Sequence, residues 1–263
     1  MLSSLVNRIT NKHVSFGVEP DHYPVVGTIL LQTMEEVLGK KVFNDEVKAA
    51  VTDAYFYLAD IFIKTEEKMK KEKEEAIGGW YGWRKMIVEK KVKETHIHTS
   101  FYLAPQDGRA LLISKPGQYI SIRVKSSPYN LVRNYSLSWT SSRQYRITVK
   151  REVEGKVSTY LHEELEEGQV LEVGVPCGNF VLTDDDKPLV LIGAGIGVTP
   201  LISIARQAAE LKRKVGKKQE VFHKYSMIEN HCWLTSYVIN SLYFNLGFGF
   251  VSFSQQTSLP SKE

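Results

Sequence analysis

Arg133-Asn134-Tyr135-Ser136-Leu137-Ser138 sets a cation, an aromatic ring and a hydroxyl side by side on one extended stretch. A tyrosine ring can lie on a flat heterocycle while a guanidinium pairs with a diphosphate, and a serine hydroxyl can bond a ring nitrogen. Around it, Tyr119 to Val124, Tyr135 to Trp139 and Tyr145 to Val149 alternate like strands, with Pro116-Gly117-Gln118-Tyr119 leading into the first. An ordinary antiparallel barrel with turn glycines and a surface arginine would account for this much.

Two further motifs follow. Gly155-Lys156-Val157-Ser158 opens a helix predicted over Thr159 to Leu165, and its free backbone N–H groups suit a pyrophosphate. Lys187-Pro188-Leu189-Val190-Leu191-Ile192 then reads as a strand buried on both faces. Gly193-Ala194-Gly195-Ile196-Gly197-Val198 is a glycine-rich turn after it. Thr199 and Pro200 supply a predicted N-cap and first helical residue, and Leu201 to Leu211 continues the helix. Strand, glycine turn and helix N-terminus form a dinucleotide phosphate site, although the spacing is G-x-G-x-G and not the usual G-x-G-x-x-G.

Taken in this order and spacing, Arg133–Ser136, Gly155–Ser158 and Gly195–Pro200 resemble the ferredoxin-NADP reductase superfamily. The resemblance implies an FAD-binding barrel followed by an α/β domain for NAD(P)H. It implies FAD contacts from Tyr119, Arg133, Asn134, Tyr135 and Ser136, with Lys156, Val157 and Ser158 near the phosphates. Gly195, Ile196, Gly197, Val198, Thr199 and Pro200 would face the nicotinamide nucleotide.

Ahead of the barrel, residues 25–39 and 46–75 carry helical signals. Val25, Ile29, Leu30, Met34, Val37 and Leu38 follow a 3.6 period, and Val47, Val51, Ala54, Tyr55, Leu58, Ile61 and Phe62 line a second amphipathic face. From Lys64 to Glu75 the second helix becomes almost wholly charged and is expected to project into solvent. Taken bare, His13 beside an apolar stretch is more often a packed or exposed histidine than a ligand. Yet Lys12-His13 through Gly27 resembles the proximal region of flavohemoglobins, in which a globin is fused to the reductase pair. Gly78-Gly79-Trp80, with Trp83 and Arg84, resembles their junction. The resemblance then implies His13 as the axial ligand of a b-type haem, with Tyr23 and Glu66 completing a hydrogen-bonded set in a catalytic role. A carboxylate behind the imidazole raises its donor strength.

A globin needs about eight helices to enclose haem, and residues 1–75 supply roughly three, so the proximal wall is expected here without the distal one. Met1 to Val6 reads as the tail of a preceding helix, without the charged start or apolar core of a signal peptide. The resemblance fades after about Phe222, and Asn230 to Ser261 holds no Lys, Arg, Asp or Glu in a chain 24% charged. That segment reads as an unrelated tail; a membrane-spanning helix over Cys232 to Phe253 is the alternative, interrupted by Thr235, Ser236, Asn240, Ser241 and Asn245.

The expected architecture is multidomain α + β. It runs from the C-terminal portion of a globin (1–78) to an antiparallel FAD-binding β-barrel (79–186), then the start of an α/β NAD(P)-binding domain (187–222) and an unassigned tail (223–263). With 43% apolar residues the chain can bury a core. Lysines at Lys64–Lys73 and Lys85–Lys93 are interleaved with glutamates, and the net charge is +4. That is a solvated mixed-charge face and not a nucleic-acid stripe. The two cysteines, Cys177 and Cys232, indicate no disulfide framework and fit a reducing cytoplasm. Two function classes follow. One is a nitric oxide dioxygenase of the flavohemoglobin type, passing electrons from NAD(P)H through FAD to haem and turning nitric oxide and O2 into nitrate. The other is a flavin-binding NAD(P)H reductase fragment without a competent haem site, or an inactive truncated product.

Overall fold

The computed structural model describes residues 2–125, 129–183, 189–215 and 222–224. The expectations for Lys187, Pro188 and the uncharged tail, Cys232 included, lie outside the described residues.

Three helices come first: α1 (Leu2–Phe16), α2 (His22–Leu38) and α3 (Asp45–Glu75). α1 is one unbroken helix that carries His13, longer than the short tail expected from Met1 to Val6. It stops at Gly17, whose φ of 71° only glycine adopts without strain. There Val18 N–H bonds the His13 carbonyl at 3.0 Å and Gly17 N–H bonds the Val14 carbonyl at 3.2 Å, a Schellman ending that fixes the backbone of His13. α3 begins where the Asn44 side chain accepts the Val47 N–H at 3.0 Å, with Asp45 and Glu46 in the positive first turn. Val6, Tyr23, Ala59 and Phe62 form the small core of these helices.

The charged end of α3 is not all solvent-facing. Glu66 is 1% exposed. Lys70 reaches the loop after α1, bonding the Val18 carbonyl and Glu19 at 2.9 Å each, and Tyr81 donates to the same carboxylate.

Next come β1 (Trp83–Lys93), β2 (His98–Pro105), β3 (Tyr119–Val124), β4 (Leu131–Thr140), β5 (Tyr145–Lys150), α4 (Lys156–Glu163) and β6 (Val170–Gly174). The six strands close into a barrel in the order β1-β2-β5-β4-β3-β6, with every pairing antiparallel. β5 alternates cleanly: Tyr145, Ile147 and Val149 point in, while Arg146, Thr148 and Lys150 point out. β3 breaks that rule at Ile120-Ser121-Ile122, all buried, because α1 covers the outer face on which Ser121 lies.

After the barrel come β7 (Val190–Ile192), a single 3₁₀ turn (Gly195–Gly197), α5 (Val198–Val215) and β8 (Phe222–Lys224), which pairs parallel with β7. The helix starts one residue before the expected cap. Thr199 sits inside its first turn, and its hydroxyl donates to the Ile196 carbonyl at 3.0 Å instead of accepting an N–H. The 3₁₀ turn continues directly into α5, so no extended residue is left to act as cap. α4 likewise starts at Lys156, three residues earlier than expected, straight after Gly155.

Candidate functional site

His13, Tyr23 and Glu66 come from three different helices and meet at one oxygen. Glu66 Oε1 lies 2.7 Å from His13 Nδ1 and accepts the Tyr23 hydroxyl at 2.6 Å, while Tyr23 Oη is 3.0 Å from the same ring nitrogen. A carboxylate accepts and cannot donate, so the short contact places an N–H on Nδ1 and leaves Nε2 as the ring nitrogen turned away from Glu66. Nε2 makes no hydrogen bond among the described residues, and the side chain is 31% exposed. Burial, reinforced by the bond to Glu66, pushes the Tyr23 phenol far above its usual range and keeps it a neutral donor.

Tyr55, which the sequence marked only as an apolar-face residue, supports this set from behind. Its hydroxyl donates to the Tyr23 carbonyl at 2.6 Å. Its ring lies so close to α2 that a Cβ on Gly27 would come within 2.5 Å of it. The Phe62 ring flanks the imidazole at 5.6 Å between centroids.

The second constellation sits on β3 and β4. Strand alternation puts Arg133 and Tyr135 on one face of β4, and Asn134 and Ser136 on the other. Tyr135 rests against the barrel core opposite Ile120. Burial raises its phenol to about 12 even though the nearby Arg133 charge works to lower it. Arg133 is exposed; its guanidinium bonds the neighbouring Val132 carbonyl at 2.8 Å and has no carboxylate partner among the described residues. On the opposite face Ser136 pairs with Tyr119 and Asn134 with Ser121. Asn134 Oδ1 and Ser121 Oγ are buried without a partner.

Lys156, Val157 and Ser158 form the first turn of α4 behind Gly155, which offers no side-chain cap, so the turn's N–H groups stay available. The Ser158 hydroxyl accepts the Glu152 N–H at 3.1 Å and donates to the Gly155 carbonyl at 3.0 Å, holding the loop before the helix. Gly195, Ile196, Gly197, Val198, Thr199 and Pro200 gather at the N-terminus of α5. α5 is fastened to the barrel where Ser203 Oγ accepts the Gly117 N–H at 2.9 Å.

A cleft of about 520 Å³ separates α1 from the loop after β6. Arg8, Lys12, His13, Tyr119 and Phe180 line it. The Lys12 ammonium stands 4.8 Å from the Phe16 ring centroid and 5.3 Å from that of Tyr119, and burial lowers its pKa. Among the described residues no cluster of three His, Cys, Asp or Glu could hold a metal, and no helix is long and apolar enough to cross a membrane.

The residues fit the groups that the resemblance implies. A histidine with its Nδ1 proton held by a buried carboxylate and a free Nε2 is a ready axial ligand. A tyrosine ring beside an arginine without a carboxylate partner among the described residues suits a flavin nucleotide, whereas the buried Asn134 Oδ1 and Ser121 Oγ lie on the opposite face, beneath α1.

These are globin-type helices joined to a reductase-type FAD-binding barrel. Residues 1–62 match the globin family, and residues 85–182 match the family described as the oxidoreductase FAD-binding domain. The chain is 48% identical over 215 residues to the flavohemoprotein of Pseudomonas aeruginosa, covering 81% of this chain and 55% of that one. Against the flavohemoprotein of Halalkalibacterium halodurans it is 43% identical over 234 residues, covering 85% and 56%. The crystal structure of flavohemoglobin from Malassezia yamatoensis, which contains bound FAD and heme, superposes with a TM-score of 0.74 at 29% identity, covering 85% of this chain and 57% of that one. Along these stretches the chain is similar to flavohemoglobins, and it spans about half the length of the curated relatives it matches.

Proposed function

We propose that this chain carries the electron-transfer half of a nitric oxide dioxygenase, drawing electrons from NAD(P)H and delivering them to iron. The observation that carries the reading is the convergence of His13, Tyr23 and Glu66 on one oxygen, next to a barrel bearing Arg133 and Tyr135. His13 would hold haem iron through Nε2. Tyr23 and Glu66 are its positioning residues: they keep the proton on Nδ1 and make the imidazole a stronger donor. Tyr119, Arg133, Asn134, Tyr135 and Ser136 would hold FAD, with Lys156, Val157 and Ser158 at its phosphates and Gly195 to Pro200 toward NAD(P)H. When bound, the two groups supply hydride acceptance, single-electron carriage and the iron chemistry by which O2 and nitric oxide give nitrate. The chain's own task is to orient and tune them. The corresponding division is a globin segment over 1–78, a flavin barrel over 79–186, a nucleotide-binding segment over 187–222 and an unassigned tail over 223–263, in the cytoplasm.

Haemin and FAD titrations of the purified chain test this. A Soret band lost in His13→Ala, together with NADH- or NADPH-dependent consumption of nitric oxide, is the expected result. Haemin uptake that ignores His13, with reduction of artificial acceptors intact, would favour a flavin reductase without a haem site.

A further inference from the structure

α1 has two working faces. His13 looks toward Glu66 on α3, and the opposite side is pressed against the barrel. That opposite side carries Asn11 and Ser15, four residues apart and so on one face, at 7% and 1% exposure. Asn11 Oδ1 accepts the Gly178 N–H at 2.8 Å. Ser15 Oγ accepts from Asn134 Nδ2 at 3.3 Å and donates to the Lys12 carbonyl at 2.8 Å.

The peptide of Lys12 runs directly into His13. A continuous route of hydrogen bonds and covalent bonds therefore leads from Asn134, the neighbour of Tyr135, through Ser15 to the backbone of His13. The Lys73 ammonium adds a bond from α3 to the Pro176 carbonyl of the barrel. Apolar contacts alone would let a helix slide or roll on a barrel; buried directional bonds select one register. The Asn11–Gly178 bond sits at the edge of the cleft lined by Lys12, His13 and Tyr119.

We propose that Asn11 and Ser15 are positioning residues for electron transfer: Ser15 locks the helix bearing His13 onto β4, Asn11 locks it onto the loop after β6, and together they fix the separation of the two redox groups. The proposal rests on the functional reading above. Neither residue needs to touch a redox group, so their loss acts through distance and not through binding.

Spin labels on exposed α1 and barrel positions, at Ser4→Cys and Arg143→Cys in a Cys232→Ser background, report the α1–barrel distance in the FAD-loaded chain. The parent should give one narrow distribution. Asn11→Leu and Ser15→Ala should broaden or shift it, whereas Asn11→Asp, which keeps an acceptor opposite Gly178, should restore it. In protein also loaded with haemin, the rate of electron transfer after flavin photoreduction should fall in the first two variants and recover in Asn11→Asp. FAD affinity and the His13-dependent Soret band should stay at parent values. Distributions as narrow as the parent's in both Asn11→Leu and Ser15→Ala overturn the proposal. A parent that takes up no haem defeats the functional reading instead; the distances then still decide the seam, broadening with Asn11→Asp rescue supporting it and unchanged widths overturning it.

Discussion

An arginine that meets no carboxylate among the described residues, beside a tyrosine packed on a barrel core, makes Arg133 the residue on which flavin binding should turn. Arg133→Ala should weaken FAD binding by about 1.5–3 kcal/mol, the range for a hydrogen bond to a charged group, read as a tenfold or greater rise in Kd by flavin fluorescence. An unchanged Kd would detach Arg133 from the cofactor. Tyr135 gives a pH test. Its pKa is raised to about 12 in the fold, chiefly by burial, against an unfolded value near 10. The folded protein therefore holds this proton more tightly, so the contribution is complete below pH 10 and is lost as pH climbs from about 10 through about 12. Tyr135→Phe should flatten that portion of the stability curve in urea unfolding at successive pH values. What the sequence disclosed at this scale was chemical type. Arg133, Tyr135 and His13 stood out because few other roles suit them, whereas Asn11 and Ser15 look like any polar pair on a helix. Their spacing becomes informative only once the covering barrel face is known.

Between elements, the approach of α2 to α3 decides whether Tyr23 reaches Glu66. Gly27 allows that approach, because any Cβ there would stand 2.5 Å from the Tyr55 ring, which its bond to the Tyr23 carbonyl holds in place. Gly27→Ala should cost about 1–3 kcal/mol as an overpacked contact and should move Tyr23 away from His13. In a double-mutant cycle, Tyr55→Ala should relieve much of the added penalty, giving a coupling of opposite sign to the single effects. Additive effects would show that the two residues do not share the contact. The helical period predicted α2 and α3 well because one face of each is apolar. It could not predict that Glu66 and Lys70 leave the charged run for buried or half-buried partners, since their neighbours in sequence are solvent-facing ions of the same kind. Similarly, strand alternation located β3, yet Ser121 looked solvent-facing because nothing in the sequence reveals that α1 covers it.

At the scale of the whole molecule, the barrel encloses its own core while the three helices do not. Val25 and Ile29 on α2 are 59% and 57% exposed, and Val26, Leu30 and Val37 extend the same apolar surface. Contiguous surface of this kind drives association when nothing covers it. The order of domains along the chain was legible because each motif carries its own spacing. How much of each domain closes on itself depends on contacts that no local pattern encodes. The separation of the α2 face from β4 makes a clean test possible. Val25→Glu with Ile29→Lys places opposite charges four residues apart, a pair that itself favours the helix by about 0.2–0.5 kcal/mol. The double variant should bind less of an apolar-surface dye and show a lower scattering mass at high concentration, while its FAD affinity stays at the parent value. Equal dye binding and equal mass in parent and variant would mean that this face is already covered in solution. A parallel loss of FAD affinity would mean that the helices and the barrel are coupled well beyond the seam at Asn11 and Ser15.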